Sequence, residues 1–354
     1  MNVKLIYPPF WNCNSPYLSI PSLVAYLHKH GIQVEQMDLN LEVYDMLLSE
    51  SFMNQCIMRL SLDTKKIKES PFLLDVARFF ANGVEHHKRL LKSKEALGVD
   101  VYEKCSKFLG ACLAVVNAAY ETEHEKSQKV GFTKYDFGEY DAESFYSILK
   151  SAKNAQEGND TNLINTLLLP FVEHIVQNAD LIGISLTGLN QIIPTFSLLG
   201  HIKRESPSTK IVLGGSIVTR WFADDNNLPD IFDYTDYVVI NEGEVPLVSL
   251  INSLKGCVPI EDVPQLIYRD ESGKINKNLV KKKLVNTSDL PTPMFNKVDV
   301  PRYFSPEPVL PLLSSRGCYW GKCAFCDHFF VYGKSFRQSK VDKIISDISS
   351  YIST

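Results

Sequence analysis

Asp180-Leu-Ile-Gly-Ile-Ser-Leu186, closed by Thr187-Gly188, is the stretch whose reading decides the fold. A strand with one wet face alternates apolar and polar side chains. A run without alternation is the pattern of a strand covered on both faces, as in a parallel sheet sandwiched by helices. Outward from this run the same unit repeats. Pro194–Arg204 reads as the following helix, Lys210-Ile-Val-Leu-Gly214-Gly215 as the next strand, and Tyr237-Val-Val-Ile240 as the one after, leading into Asn241-Glu-Gly-Glu244 and a helix over Pro246–Leu254. Upstream, Val3-Lys-Leu-Ile-Tyr7 is stopped by Pro8-Pro9. Ser22–His30 then carries Leu23, Val24, Tyr26 and Leu27 at helical spacing and ends at Gly31, and Gln33–Met37 alternates as a second strand. Strand, helix and strand at this length make a βαβ unit, hence a parallel sheet. The expected fold is an α/β, Rossmann-like doubly wound parallel sheet, which takes its ligand at the C-terminal ends of its strands.

From about 41 to 178 the pattern changes to long helical stretches: Phe72, Leu73, Val76, Phe79, Phe80 and Val84 follow helical spacing, as do Phe108, Leu109, Cys112, Leu113 and Val116. This reads as a large helical insertion covering one side of the sheet, with His86 and His87 facing solvent. Gln265–Asn276 reads as a hairpin turning at Ser272-Gly273. The first domain is expected over 1–275 and a linker holding Leu290-Pro-Thr-Pro293 over 276–300. A second, incomplete domain then runs over 301–354.

With 45% hydrophobic and 22% charged residues and a net charge of -4, the 354-residue chain has the composition of a soluble globular protein. That charge gives no whole-chain reason to expect nucleic acid or an anionic membrane as partner, and the basic run Lys281–Lys283 reads as a solvated loop. Five of the eight cysteines, Cys13, Cys56, Cys105, Cys112 and Cys257, are scattered, which points to a reducing compartment and not to a disulfide framework. The N-terminal apolar run is too short for a signal peptide and no stretch reaches membrane-spanning length, so the expected location is the cytoplasm.

The other three cysteines stand in Leu310-Pro-Leu-Leu-Ser-Ser-Arg-Gly-Cys318-Tyr-Trp-Gly-Lys-Cys323-Ala-Phe-Cys326-Asp-His328. An apolar run that reads as a buried strand enters a loop with three thiols close enough to share one inorganic centre. Thiolates select zinc and iron–sulfur centres over harder ions. Three thiolates with no fourth cysteine downstream suit an iron–sulfur cluster that keeps one iron open. The alternative is structural zinc on Cys318, Cys323, Cys326 and His328, a Cys3His set. Beyond the loop, Ser339 with Asp342 reads as the cap of a helix over Val341–Tyr351.

The Ser315-Arg-Gly-Cys318 opening, the C-x-x-x-x-C-x-x-C spacing, Phe325 before the last cysteine, and Phe336-Arg337 resemble the cluster loop of radical S-adenosylmethionine (radical SAM) enzymes. The commonest form has three residues between the first two cysteines; here Tyr319, Trp320, Gly321 and Lys322 make four. The preceding chain resembles the cobalamin-binding class of that superfamily, through Pro8-Pro9, Ile184-Ser-Leu-Thr-Gly188, Val212-Leu-Gly-Gly-Ser216 and Asn241-Glu-Gly-Glu244 at successive strand ends. The last of these is usually Gly-Glu-Gly-Glu.

The resemblance implies a [4Fe–4S] cluster on Cys318, Cys323 and Cys326, S-adenosylmethionine on the open iron with Phe325 near its adenine, and a cobalamin tail in a slot. Ser185, Thr187, Gly188, Gly214, Gly215, Glu242 and Gly243 would line that slot. It also implies no histidine below the cobalt, His28 and His30 being exposed on their helix, so that one of Trp11, Asn12, Cys13 or Asn14 faces the corrin, with Asn12 as the assigned contact. The implied activity is reductive cleavage of S-adenosylmethionine to a 5′-deoxyadenosyl radical and C-methylation, or a related radical modification, of an unactivated carbon in a peptide or other natural product. Flavodoxin or ferredoxin would be the electron donor. Only the start of the (β/α) radical SAM barrel is expected here, so either the product is truncated or another chain supplies the rest. Two further readings are a radical SAM enzyme whose cobalamin-like domain is only a scaffold, and a non-enzymatic cobalamin- or zinc-binding module.

Overall fold

The apolar runs assemble into one seven-stranded sheet in the computed structural model, which describes residues 1–121, 127–158, 162–222, 228–278, 284–326, 328–333 and 335–352; Lys281–Lys283 lie outside these. In chain order the strands are β1 (Val3–Tyr7), β2 (Val34–Asp38), a separate two-stranded ladder of β3 (Gln128–Lys129) with β4 (Asp136–Phe137), then β5 (Leu181–Ser185), β6 (Lys210–Gly214), β7 (Tyr237–Val239), β8 (Leu266–Arg269) and β9 (Ile275–Lys277). The sheet order is β2-β1-β5-β6-β7-β8-β9. Its first five strands are parallel and the β8–β9 hairpin is antiparallel, with Gly273 at φ +84° in its turn.

Alternate residues of each parallel strand feed two separate cores, which is what doubly wound means here. Ile6, Ile182, Ile184, Leu213 and Val238 pack under the 192–205 helix and the helices that lie between β2 and β5. Val3, Leu5, Leu181, Val212 and Val239 pack under the Ser19–Lys29 and Glu244–Leu254 helices. Each such apolar side chain contributes about 1.5–3 kcal/mol on burial. The first helix starts three residues earlier than its periodicity predicts and takes in Pro21, which an α-helix tolerates in its first turn because that N–H has no partner there anyway. His28 and His30 are exposed, as expected.

The insertion covers one face of the sheet, as its helical pattern predicts, but with a different stripe inward. Phe72 and Phe79 are 74% and 65% exposed, while Ala77, Ala81, Val84 and Leu91 are buried. Small residues let the 73–91 helix approach the 99–120 helix closely: a Cβ on Gly83 would meet the Phe108 ring at 2.4 Å. His87 is not simply solvated. Its ring stacks on Phe108 at 3.6 Å, and Nδ1 lies 2.9 Å from the Gly83 carbonyl oxygen, whereas His86 is exposed.

A comparable close approach joins the 192–205 helix to the Phe145–Glu157 helix. A Cβ on Gly200 would come within 2.1 Å of the Ala152 carbonyl oxygen, which is backbone and cannot swing away. Gly200→Ala is therefore expected to cost about 1–3 kcal/mol, the usual penalty of overpacking, read as a lower denaturant midpoint at unchanged slope.

The chain after β9 crosses back to the far edge of the sheet. Tyr303 donates its hydroxyl to Asp38 Oδ2 at 2.5 Å, and Arg302 binds Glu42 through both Nη atoms at 2.6 and 2.9 Å. Burial pushes the Asp38 carboxyl up to about 6, against the hydrogen bonds from Tyr303 and the Leu41 N–H. An aspartate with a raised folded-state pKa contributes stability that is fully present below about pH 4 and is lost as pH rises through about 6. Thermal midpoints should accordingly show wild type losing stability relative to Asp38→Asn between about pH 4 and pH 7.

Leu310–Ser314 does not form the expected strand. Among the described residues it has no sheet partner, and a strand of this apolarity needs neighbours on both sides to bury it. Only β10 (Ser315–Arg316) pairs, antiparallel, with β11 (Arg337–Gln338), and the helices His328–Tyr332 and Val341–Ile352 follow the loop. Val341, Ile345, Ile348 and Ile352 lie exposed along the last helix. Among the described residues no helix is long and apolar enough to cross a membrane.

Candidate functional site

A cavity of about 440 Å³ opens at the C-terminal ends of β1, β5, β6 and β7, beneath the Ser19–Lys29 helix. Its position follows from the winding. The connection leaving β1 lies on one face of the sheet and the one leaving β5 on the other, so a crevice opens between the C-terminal ends of these two strands. Its walls are Leu5, Val212, Val239, Ile20 and Leu23, and its floor is deepened by Gly183 and Gly214, where a side chain would otherwise fill the space. Gly183 stands mid-strand: a Cβ there would meet Leu5 Cδ2 at 2.5 Å.

The loops around the mouth are held by their own hydrogen bonds. Buried Gln191 accepts from the Thr187 N–H at 3.1 Å, the Thr187 hydroxyl at 3.1 Å and the Gly188 N–H at 2.9 Å, and donates to the Pro8 carbonyl at 2.7 Å, tying the β5 loop to the β1 loop. Ser185 donates to the Ser19 hydroxyl at 2.9 Å, a polar pair in an apolar slot. Gly215 adopts φ +110°, and a Cβ there would lie 2.1 Å from the Leu186 carbonyl oxygen, so no other residue fits. Asn241 takes φ +64°, a left-handed conformation that suits glycine or asparagine, which accounts physically for Asn at a position the resemblance gives to Gly.

Of the residues assigned from sequence, Ser185, Thr187, Gly214, Gly215, Glu242 and Gly243 line this one cavity. Gly188 and Asn12 do not. Gly188 is buried beneath the Trp11 ring, 2.7 Å from where its Cβ would stand, and the Asn12 side chain accepts from the Asn14 N–H at 2.8 Å. Among the four loop residues Trp11, Asn12, Cys13 and Asn14, Trp11 is the one at the cavity, edge-on to Tyr17.

Sequence reading missed the C-terminal contribution: Pro311, Leu313, Arg316, Val331 and Tyr332 close the same cavity. Arg316 is buried and binds Glu242 Oε2 at 3.1 Å and Glu244 Oε1 at 2.5 Å. Arg337 also binds both oxygens of Glu242 and donates to the Val285 carbonyl at 2.6 Å. Burial opposes the Arg316 charge, but Glu244 and Glu242 outweigh it and raise the guanidinium pKa further above its usual value. Glu242 thus spends its carboxylate on two arginines.

The cysteine loop follows within two residues. Cys318, Cys323 and Cys326 are free thiols, half-buried, with the Cys326 N–H donating to the Cys323 carbonyl at 3.2 Å and the Gly321 N–H to Cys318 Sγ at 3.5 Å. Among the described residues no three His, Cys, Asp or Glu side chains are gathered tightly enough to hold a metal ion, and His328 is exposed. Phe325 is 91% exposed. The donor set itself, three thiols on one short loop, fits a soft-metal or iron–sulfur centre.

No family model matches the chain. An uncharacterized methyltransferase of Pyrococcus horikoshii is 25% identical over 171 residues, 48% of this chain and 36% of that protein. The 4'-phospho-dehydrooxetanocin synthase of Priestia megaterium is 31% identical over 114 residues, 31% of this chain and 14% of that enzyme. The structure of the cobalamin-dependent S-adenosylmethionine radical enzyme OxsB with aqua-cobalamin bound superposes with a TM-score of 0.51 at 16% identity, covering 99% of this chain and 32% of that one. The chain thus spans about a third or less of each of these relatives. Over the third of OxsB that it spans, the chain shares that enzyme's fold.

Proposed function

We propose that this chain holds cobalamin at the cavity, with the nucleotide tail in the glycine-floored slot, and a [4Fe–4S] cluster on Cys318, Cys323 and Cys326. It would thereby serve a radical SAM enzyme of the methyltransferase kind. The observation that carries the reading is the cavity: a deep, mostly apolar slot at the strand ends, lined by six of the residues singled out from sequence. When bound, the cluster supplies an electron to S-adenosylmethionine and the corrin a transferable methyl group.

The residues supply positioning. Gly183 and Gly214 leave room for a flat heterocycle between Val212 and Val239, and Ser185 offers the hydroxyl pair for its polar edge. Trp11 and Tyr17 wall the mouth and keep water from it. Pro311, Leu313 and Tyr332, which flank the cysteine loop in sequence, line the same cavity, so a cluster on the loop and a corrin in the cavity would be held near one another. The exposed stripe Val341, Ile345, Ile348 and Ile352 is the face on which further (β/α) elements would pack, whether from a longer chain or a second one. A small-molecule or peptide substrate and a flavodoxin- or ferredoxin-type donor complete the proposal.

Anaerobic reconstitution with iron and sulfide tests it. The expected result is about four irons and four sulfides per chain, with the broad visible absorption of a thiolate-held cluster. Zinc uptake with no iron would overturn it.

A further inference from the structure

Three sequence features had no shared role when read separately: Asn241-Glu-Gly-Glu244, the Arg316 that opens the cysteine loop, and Arg337 beyond it. We propose that they form one latch. In it Arg316 and Arg337 are positioning residues for the thiols, and Glu242 and Glu244 are the seat on which the cysteine loop docks. The linkage of this latch to corrin binding rests on the function proposed above; the latch itself does not.

The geometry is that of a two-sided clamp. Arg316 spans both carboxylates with its fork, Nη1 to Glu242 at 3.1 Å and Nη2 to Glu244 at 2.5 Å. Arg337 shares Glu242 Oε2 with Arg316 and also takes Oε1. The two arginines are themselves neighbours in the ladder, since Arg316 pairs with Arg337 across β10 and β11. Glu242, Glu244 and Arg316 are buried, and two positive charges balance two negative ones, so the set is neutral only when the loop is docked. Separating it strands buried charge, which makes docking specific as well as favourable.

The clamp transmits to the thiols through a short link. Gly317, alone between Arg316 and Cys318, has φ +84°, and a Cβ there would lie 1.9 Å from the Ser335 carbonyl oxygen. No side chain fits, so the position of Arg316 fixes where Cys318 begins. On the other side, Glu242 and Glu244 line the cavity, and Arg316 and Tyr332 line it too. A ligand that fills the cavity touches both halves of the clamp. Its binding and the docking of the cysteine loop are therefore linked, and the linkage is reciprocal.

The test is the alkylation rate of individual thiols in the metal-free chain, read by mass spectrometry, with exposed Cys257 as internal control. Arg316→Lys keeps the charge and so the fold, yet cannot bridge two carboxylates as the guanidinium fork does; Glu242→Gln is the complementary variant. In both, Cys318, Cys323 and Cys326 should react at least fivefold faster than in wild type while Cys257 is unchanged. Equal rates in both variants would overturn the latch. Saturating hydroxocobalamin should slow the three thiols in wild type and not in the variants; slowing retained in Arg316→Lys and Glu242→Gln would overturn the linkage. Failure of wild type to bind the corrin at all would overturn the linkage and the cobalamin reading together, while the metal-free rates still decide the latch.

Discussion

Gly214→Leu is expected to weaken corrin binding by up to about 100-fold while leaving the sheet intact. Gly214 ends β6 and pairs with Ser185 of β5, and its absent side chain is part of the cavity floor. A Cβ there would meet its nearest neighbour, the Val239 carbonyl oxygen, at 3.4 Å, ordinary contact, and no positive φ opposes a side chain. The rest of the leucine would project into the slot. Seating a rigid heterocycle against it carries the penalty of extra methylenes in filled space, about 1–3 kcal/mol, or up to about 100-fold in affinity. Visible titration with hydroxocobalamin reads the loss, and an unchanged thermal midpoint shows that the sheet survives. Gly215→Ala is not an equivalent test, because its Cβ would strike the Leu186 carbonyl and damage the loop itself.

Changing any one of Cys318, Cys323 or Cys326 to Ala is expected to reduce iron after reconstitution from about four per chain to below one. An iron–sulfur centre needs its thiolates together, and His328, the nearest imidazole in sequence, is exposed and stands 4.8 Å ring to ring from Tyr332. Cys257→Ala, at an exposed site elsewhere in the fold, should leave iron unchanged. Iron and sulfide assays on the four variants check this directly.

How much of this was legible in the sequence differs by element. Continuous apolar runs betrayed β5 and β6, because a strand covered on both faces leaves no polar alternation, and Ser272-Gly273 announced its hairpin. The glycine pair and the small residues after the strands marked the cavity. Gly183 was a missed signal, since a glycine inside a strand often marks a close approach.

Other features were out of reach of local pattern. The 73–91 helix shows a clear stripe of large residues, yet Ala77 and Ala81 are buried while Val76 and Phe79 are exposed. Periodicity reports that two faces differ, and close helix packing then favours the small one. The contacts joining Glu242 to Arg316 and Arg337 span 74 and 95 residues, and nothing local reports a partner at that distance. Glu242 was accordingly assigned to the slot without the two arginines that hold its carboxylate. Leu310–Ser314 read as a buried strand from composition alone, but a strand exists only where neighbours pair with it.

Cobalt per chain, after incubation with hydroxocobalamin and removal of unbound corrin, tests the central claim most directly. One cobalt per wild-type chain, with clearly less retained by Gly214→Leu, is the predicted result. No cobalt retained by wild type, or equal retention by Gly214→Leu, would contradict it.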